Sequence, residues 1–275
     1  MSDMGQSDLS DLVAAAEEVA RAAGDYLRSV QPQISHEKSA GNLVTDADLA
    51  AERIILERLR ASFPRHAILS EETAADVALD AEHLWIVDPL DGTNNFAHQI
   101  PQFCVSIAYA QRGVVRAGVV FDPNRQELFC SCPGRGATLN GQPIQVASRP
   151  RLAEVIISTG FYYDRGALMR RTLQSIETLF STGIRGVRRF GSAALDLCWV
   201  ACGRVDGYFE YQLAPWDFAA GSLLVQSAGG ICSDRNGLPL RLDSPGVIAA
   251  SRLVYDQLLQ QVQWSPPAAT DQPRS

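Results

Sequence analysis

The order of predicted elements assigns this chain to a layered α/β or α+β fold with two sheets. Three observations carry that assignment. Two amphipathic helices come first, short β-rich segments with short connections follow, and the second half alternates strand and helix. The first helix is predicted from about Asp8 to Val30, because Leu9, Leu12, Val13, Val19, Ala20, Ala23 and Leu27 recur at helical spacing. A second starts near Thr45, a natural N-cap, with Leu49, Ile54, Ile55 and Leu59 facing inward. Strands follow at Ala67–Ser70, Leu84–Asp88, Cys104–Ala110, Val114–Phe121 and Glu127–Cys132, then an Asn140-Gly141 turn. The short links between Cys104 and Cys132 imply an antiparallel meander. Beyond it the pattern reads strand Val155–Thr159, helix Leu168–Phe180, strand Val187–Arg189, helix Ala193–Cys202 and strand Gly207–Tyr211. Helix Phe218–Ser227, strand Val247–Ala250 and a last helix from about Leu253 to Val262 complete it. Residues 265–275, rich in Pro and polar side chains, read as a disordered tail.

Composition removes several classes. The 275 residues suffice for a sizeable core, and 24 basic against 31 acidic residues give a net charge of −7. That balance argues against a general electrostatic grip on nucleic acid or an acidic membrane. No apolar run reaches the length of a membrane-spanning helix, and the polar start is not a secretory signal. The six cysteines have neither disulfide-scaffold nor zinc spacing and read as reduced core thiols of a cytoplasmic protein. The histidines His36, His66, His83 and His98 show no ligand spacing, although His98 is close enough to the acidic loop to line a cleft mouth. Every basic residue is Arg except Lys38.

The chemistry concentrates in Trp85-Ile-Val-Asp88-Pro-Leu-Asp91-Gly-Thr93. An apolar strand ends and two carboxylates follow, three residues apart across a proline. Asp88, Asp91 and the Leu90 carbonyl can converge as hard oxygen ligands suited to Mg²⁺. Gly92 and Thr93 follow as an anion nest, so a phosphate ester could bridge metal and nest. The competing local reading is an acidic turn whose carboxylates cap their own backbone. Further acidic sets stand at Ser70-Glu71-Glu72, at Thr45-Asp-Ala-Asp48 and at Pro215-Trp-Asp217. Each, taken alone, also serves as a helix start. There is no phosphate-cradling P-loop, and the Cys198-x₅-Arg204 match lies in a helix-like run.

Glu71, the Asp88–Thr93 run and the Trp216-Asp217-x-Ala-Ala-Gly221 run, in that order, resemble the inositol monophosphatase family. This is the Mg²⁺-dependent, lithium-sensitive phosphomonoesterase superfamily that also holds fructose-1,6-bisphosphatases. Gly191-Ser-Ala-Ala-Leu-Asp196 and Gly203-Arg-Val-Asp-Gly-Tyr-Phe-Glu210 resemble its bacterial branch in particular. The resemblance implies a layered αβαβα sandwich and a single phosphatase domain over residues 1–264. Within it, 8–150 would be the metal-binding half and 151–264 the α/β half. It implies two to three Mg²⁺ ions. Glu71, Asp88 and the Leu90 carbonyl would hold one; Asp88, Asp91 and Asp217 a second; a third, weaker site would lie near Glu71. Thr93 and Asp48 match the pair that orients the attacking water. Gly92, Thr93, Gly191, Ser192 and Ala193 fall on the phosphate and substrate side with Asp91 and Asp217, Glu210 matches a ligand of a substrate hydroxyl, and Lys38 falls beside metal and phosphate. The expected substrate is a small anionic phosphate ester, inositol monophosphate first. Histidinol phosphate, fructose-1,6-bisphosphate and a nucleotide 3′-phosphate are rivals. A homodimer is expected, and Arg170, Arg171, Arg185, Arg188 and Arg189 read as interface or ion-pair residues. A regulatory binding protein on the same scaffold is the rival from another class.

Overall fold

A computed structural model describes residues 6–32, 34–39, 42–73, 76–163 and 165–264, with the backbone alone for 6–8, 34–39 and 42. The predicted tail lies outside the described residues. The long first helix, α1 (Gln6–Ser29), and α2 (Asp46–Ser62) pack side by side on one face of a seven-stranded sheet. Between them in the chain runs a two-stranded antiparallel ribbon, β1 (Ile34–Ser39) and β2 (Asn42–Thr45), which no predicted element covers.

The large sheet has the order β3 (Ala67–Ser70), β4 (Leu84–Asp91), β5 (Cys104–Gln111), β6 (Val114–Asp122), β7 (Glu127–Cys132), β8 (Gly136–Leu139), β9 (Gln142–Pro143). β3 and β4 are parallel, and every later pairing is antiparallel, as the short connections require. Side chains alternate across it. Trp85 and Val87 pack under α1 and α2, whereas Leu84 and Ile86 face the other way. β4 is buried along its whole length because both faces are covered by helices.

That second face meets α5 (Ala193–Ala201) and α6 (Pro215–Ser227). Both helices are nearly apolar all round, as a helix enclosed between two sheets must be. Their far sides meet the second sheet, ordered β11 (Gly186–Arg188), β10 (Ile156–Thr159), β12 (Gly207–Glu210), β14 (Val247–Ser251), β13 (Gly230–Ser233). α4 (Ala167–Ser181) and α7 (Tyr255–Val262) cover its outer face. The stack is therefore helix, sheet, helix, sheet, helix, the αβαβα sandwich that the resemblance implied.

Small residues set the spacing of the layers. A Cβ on Gly118 of β6 would stand 2.8 Å from the Ala220 carbonyl oxygen, and one on Gly221 would stand 2.6 Å from the Leu197 Cβ. The sheet and α6 thus meet at backbone contact, and the Leu197 side chain of α5 packs onto α6 at Gly221. Some local expectations change. Leu49 points outward, 42% exposed. β8, β9, β13 and the short α3 (Thr93–Ala97) were not foreseen, and the last helix starts at Tyr255 rather than Leu253. All six cysteines are free, and Cys130 and Cys132 share the α1 side of the sheet. Among the described residues no helix is long and apolar enough to cross a membrane.

Candidate active site

The cleft forms where strand ends of both sheets meet the starts of α3, α5 and α6. β3 and β4 run parallel with Ser70 opposite Val87, so both strands deliver a carboxylate to the same edge. Glu71 is tied there by its N–H to the Val87 carbonyl, 3.2 Å. The strand does not end at Asp88, as predicted, but continues to Asp91 through a bulge. Asp88 pairs with Ser106 and Asp91 with Cys104, so β4 spends one more residue than β5. Pro89 explains the slip, since it has no N–H for the ladder. The Leu90 N–H turns back onto the Asp88 carboxylate at 3.0 Å. The capping turn and the inward cluster are therefore the same structure.

Gly92 has φ 103°, and a Cβ there would lie 2.9 Å from the Gln102 carbonyl oxygen. Only glycine fits at this turn. Thr93 then opens α3. Its hydroxyl stands 2.9 Å from an Asp48 carboxylate oxygen and 3.1 Å from the Leu90 carbonyl. Asp48 is 1% exposed; its other oxygen accepts the Thr45 N–H at 2.8 Å in the capping box that starts α2.

α6 begins at Pro215, three residues before the predicted start, because Pro suits the first helical position. Asp217 lies in its first turn and accepts the Ala214 N–H at 2.7 Å. Gly191, Ser192 and Ala193 line the cleft. The Ser192 and Ala193 donors, assigned by the resemblance to the substrate side, already serve Asp91. The Ser192 hydroxyl and the Ala194 N–H both donate to one Asp91 oxygen at 2.7 Å. Glu210 ends β12 as a buried residue, accepting the Tyr208 hydroxyl at 2.6 Å. Gly160 makes its room: a Cβ there would fall 1.8 Å from a Glu210 oxygen. The Lys38 side chain lies outside the described residues. His98 caps the end of α3 and is not part of the cleft lining.

The electrostatics show how crowded the negative charge is. Burial, then Glu71, Asp91 and Asp217, push the Asp88 carboxyl well above the usual range. Burial, then Glu71 and Asp91, do the same to Asp217. Asp91 is raised by burial and held back by its bonds from Ser192, Ala194 and Ala193. Burial raises Asp48 against the bonds from Thr45 and Thr93. Among the described residues the lining holds six carboxyls and a single cation, Arg189. Arg189 read as an interface or ion-pair residue in the sequence; its charge counters Glu210 and Asp196 within the cleft. Asp196 ends the Gly191–Asp196 motif and Arg189 stands just before it, but neither was assigned to the cleft, and nothing local marks Tyr163.

Among the described residues no three His, Cys, Asp or Glu side chains are drawn into a finished metal shell, since the carboxylates are turned onto protein donors. The donor set nevertheless fits a hard cation. Glu71, Asp88, Asp91, Asp217 and the Leu90 carbonyl are oxygen donors, and the carboxylates oppose one another's ionisation in a buried space. A divalent ion relieves that repulsion.

The sequence pattern of the inositol monophosphatase family matches residues 8–266. The chain is 43% identical over 264 residues to the inositol-1-monophosphatase of Synechocystis sp., covering 94% of this chain and 91% of that protein. It is 42% identical over 226 residues to the Nus factor SuhB of Pasteurella multocida, covering 82% and 84%. The solved inositol monophosphatase of Anabaena (Nostoc) sp. aligns with a TM-score of 0.81 at 40% identity, over 95% of this chain and 99% of that one.

Proposed function

The chain belongs to the inositol monophosphatase family, and from that premise we propose that this phosphomonoesterase hydrolyses inositol monophosphate to inositol and phosphate. The observation that supports the reading is the convergence of Glu71, Asp88, Asp91 and Asp217 on the cleft that the Thr93–Asp48 pair borders. The cleft is small, about 190 Å³, in keeping with a small ester rather than a polymer.

Glu71, Asp88, the Leu90 carbonyl, Asp91 and Asp217 would hold two Mg²⁺ ions, with a third, weaker site beside Glu71. Bound there, the ions make a water more acidic and offset charge on the leaving oxygen. The Thr93 hydroxyl donates a hydrogen bond to Asp48, which leaves its oxygen to accept from the attacking water and aim it. The Gly92 and Thr93 amides hold phosphate oxygens, and Gly191, Ser192 and Ala193 at the start of α5 stand on the substrate side. Glu210 accepts from a hydroxyl of the alcohol, and Lys38 adds a compact positive charge near the phosphate. Residues 1–264 act as one domain, and two copies form a homodimer.

Asp91→Asn and Asp217→Asn are expected to lower kcat/KM by at least about 100-fold, the upper range for losing even an outer partner of a metal site. Full Mg²⁺-dependent activity in either variant would overturn the metal assignment. A side-by-side panel, with and without lithium, decides the substrate. It compares inositol monophosphate with histidinol phosphate, fructose-1,6-bisphosphate and 3′-phosphoadenosine 5′-phosphate. Strong preference for any of the last three removes the inositol reading.

The relative named Nus factor SuhB motivates a second reading, a regulatory binding protein on the same scaffold. A salt-sensitive shift on titration with RNA supports it. Phosphatase activity without such a shift leaves the enzyme alone.

A further inference from the structure

The segment leaving β10 carries chemistry that the mechanism above does not use. After Gly160, which gives way to Glu210, Phe161, Tyr162 and Tyr163 line the cleft. Tyr162 is 45% exposed. Its ring stands 5.7 Å from that of Tyr163, tilted by 60°. Tyr163 is turned inward. A phenol keeps its proton at neutral pH, so its hydroxyl serves as a donor into the cleft. Among the described residues its hydroxyl has no hydrogen-bond partner. Tyr163 is half-buried, and a donor left open to a cleft is available to what binds there.

We propose that Tyr163 is a substrate-binding residue: its hydroxyl donates to an oxygen of the bound ester, and its ring, continued outward by Tyr162, is a wall for the alcohol half. Glu210 and Arg189 also line this part of the cleft. They offer an acceptor and donors, whereas the tyrosines offer ring faces. The alcohol that satisfies both has C–H faces and hydroxyl edges, which is a cyclic polyol. Such rings lie against aromatic faces by apolar contact while their edges hydrogen-bond. An acyclic alcohol has no face to lay on the wall. The inference rests on the inositol phosphate reading and adds the residues that would distinguish ring from chain.

The test is steady-state kinetics of the full chain with Mg²⁺ on inositol 1-phosphate and glycerol 2-phosphate. Tyr163→Phe removes only the hydroxyl and Tyr163→Ala also the ring. Tyr163→Phe is expected to raise KM for inositol 1-phosphate about tenfold, the size of one lost bond to a charged partner, with kcat within about twofold. Its pH–rate profile is expected to stay in place. Tyr163→Ala is expected to raise KM further and to shrink the preference for inositol over glycerol about tenfold. Thermal melting of Tyr163→Phe separates these effects from misfolding. Unchanged KM in both variants, with the ring preference intact, overturns the role of Tyr163 alone. A wild type that turns over both esters equally well removes the ring-polyol reading, and the wall with it.

Discussion

Glu210 shows how a single carboxyl ties recognition to stability. Burial pushes it up to about 7, against the Tyr208 bond and Arg189, from an ordinary value of 4.5. Between those two values the unfolded chain releases the Glu210 proton while the folded chain keeps it. The folded state then binds more protons, so this carboxyl makes stability fall as pH rises from 4.5 to about 7 and level off above. Glu210→Gln removes the dependence. Melting curves of metal-free protein should show the variant gaining on the wild type across that window, by on the order of 3 kcal/mol at its top. A constant difference across pH would show that the carboxyl is not perturbed. Thr93→Ala is expected to lower kcat about 100-fold with KM little changed, because the water loses its guide while binding groups remain. Its melting temperature should stay close to wild type, since Asp48 keeps the Thr45 N–H. The residues nearest the chemistry were legible in the sequence because the acidic strand end concentrates them in one short run. Tyr163 and Arg189 were not, since the carboxyls that face them, Glu71 and Asp217 for one and Glu210 for the other, meet them only in the folded cleft.

Among the elements, α6 joins packing to chemistry. Its first turn carries Asp217, and its body lies on Gly118 of β6 at backbone contact. Gly118→Val would press branched carbons on the Ala220 carbonyl, which is backbone and cannot yield by rotation. The expected cost is about 1–3 kcal/mol, with activity falling alongside stability as Asp217 moves. Normal activity in a destabilised Gly118→Val would separate the helix seat from the site. The long strands and helices were readable because each shows a clear period. β1, β2, β8 and β9 were not, being short, and their pairing depends on partners rather than on pattern. β4 was cut short because Pro89 looks like an ending in sequence. In the sheet it is a bulge, and the bulge is what turns Asp88 and Asp91 inward.

At the scale of the whole molecule, the carboxylates come from both halves of the chain. Asp88 and Asp91 lie on β4, Asp217 on α6, and Ser192 before α5 joins them through Asp91. A cation bound among them fastens the large sheet to the buried helices. Thermal unfolding should therefore shift upward by roughly 5–10 °C with Mg²⁺ at about 100 times its Kd, and fall back with chelator. The shift should grow from acidic to neutral pH, because the raised carboxyls Asp88 and Asp217 must lose protons to bind the ion. A melting temperature indifferent to Mg²⁺ would contradict the cation site. The five-layer order was implied by the family resemblance, whereas the strand order within each sheet depends on contacts that no local pattern encodes. The placement of α5 and α6 between the sheets also matters during synthesis. β9 closes the large sheet at Pro143, yet α6 does not begin until Pro215. A growing chain thus presents Leu84, Ile86, Val120 and Phe129 as a bare apolar face until the covering helices leave the ribosome. That interval is when the nascent protein is most open to aggregation and most in need of a chaperone.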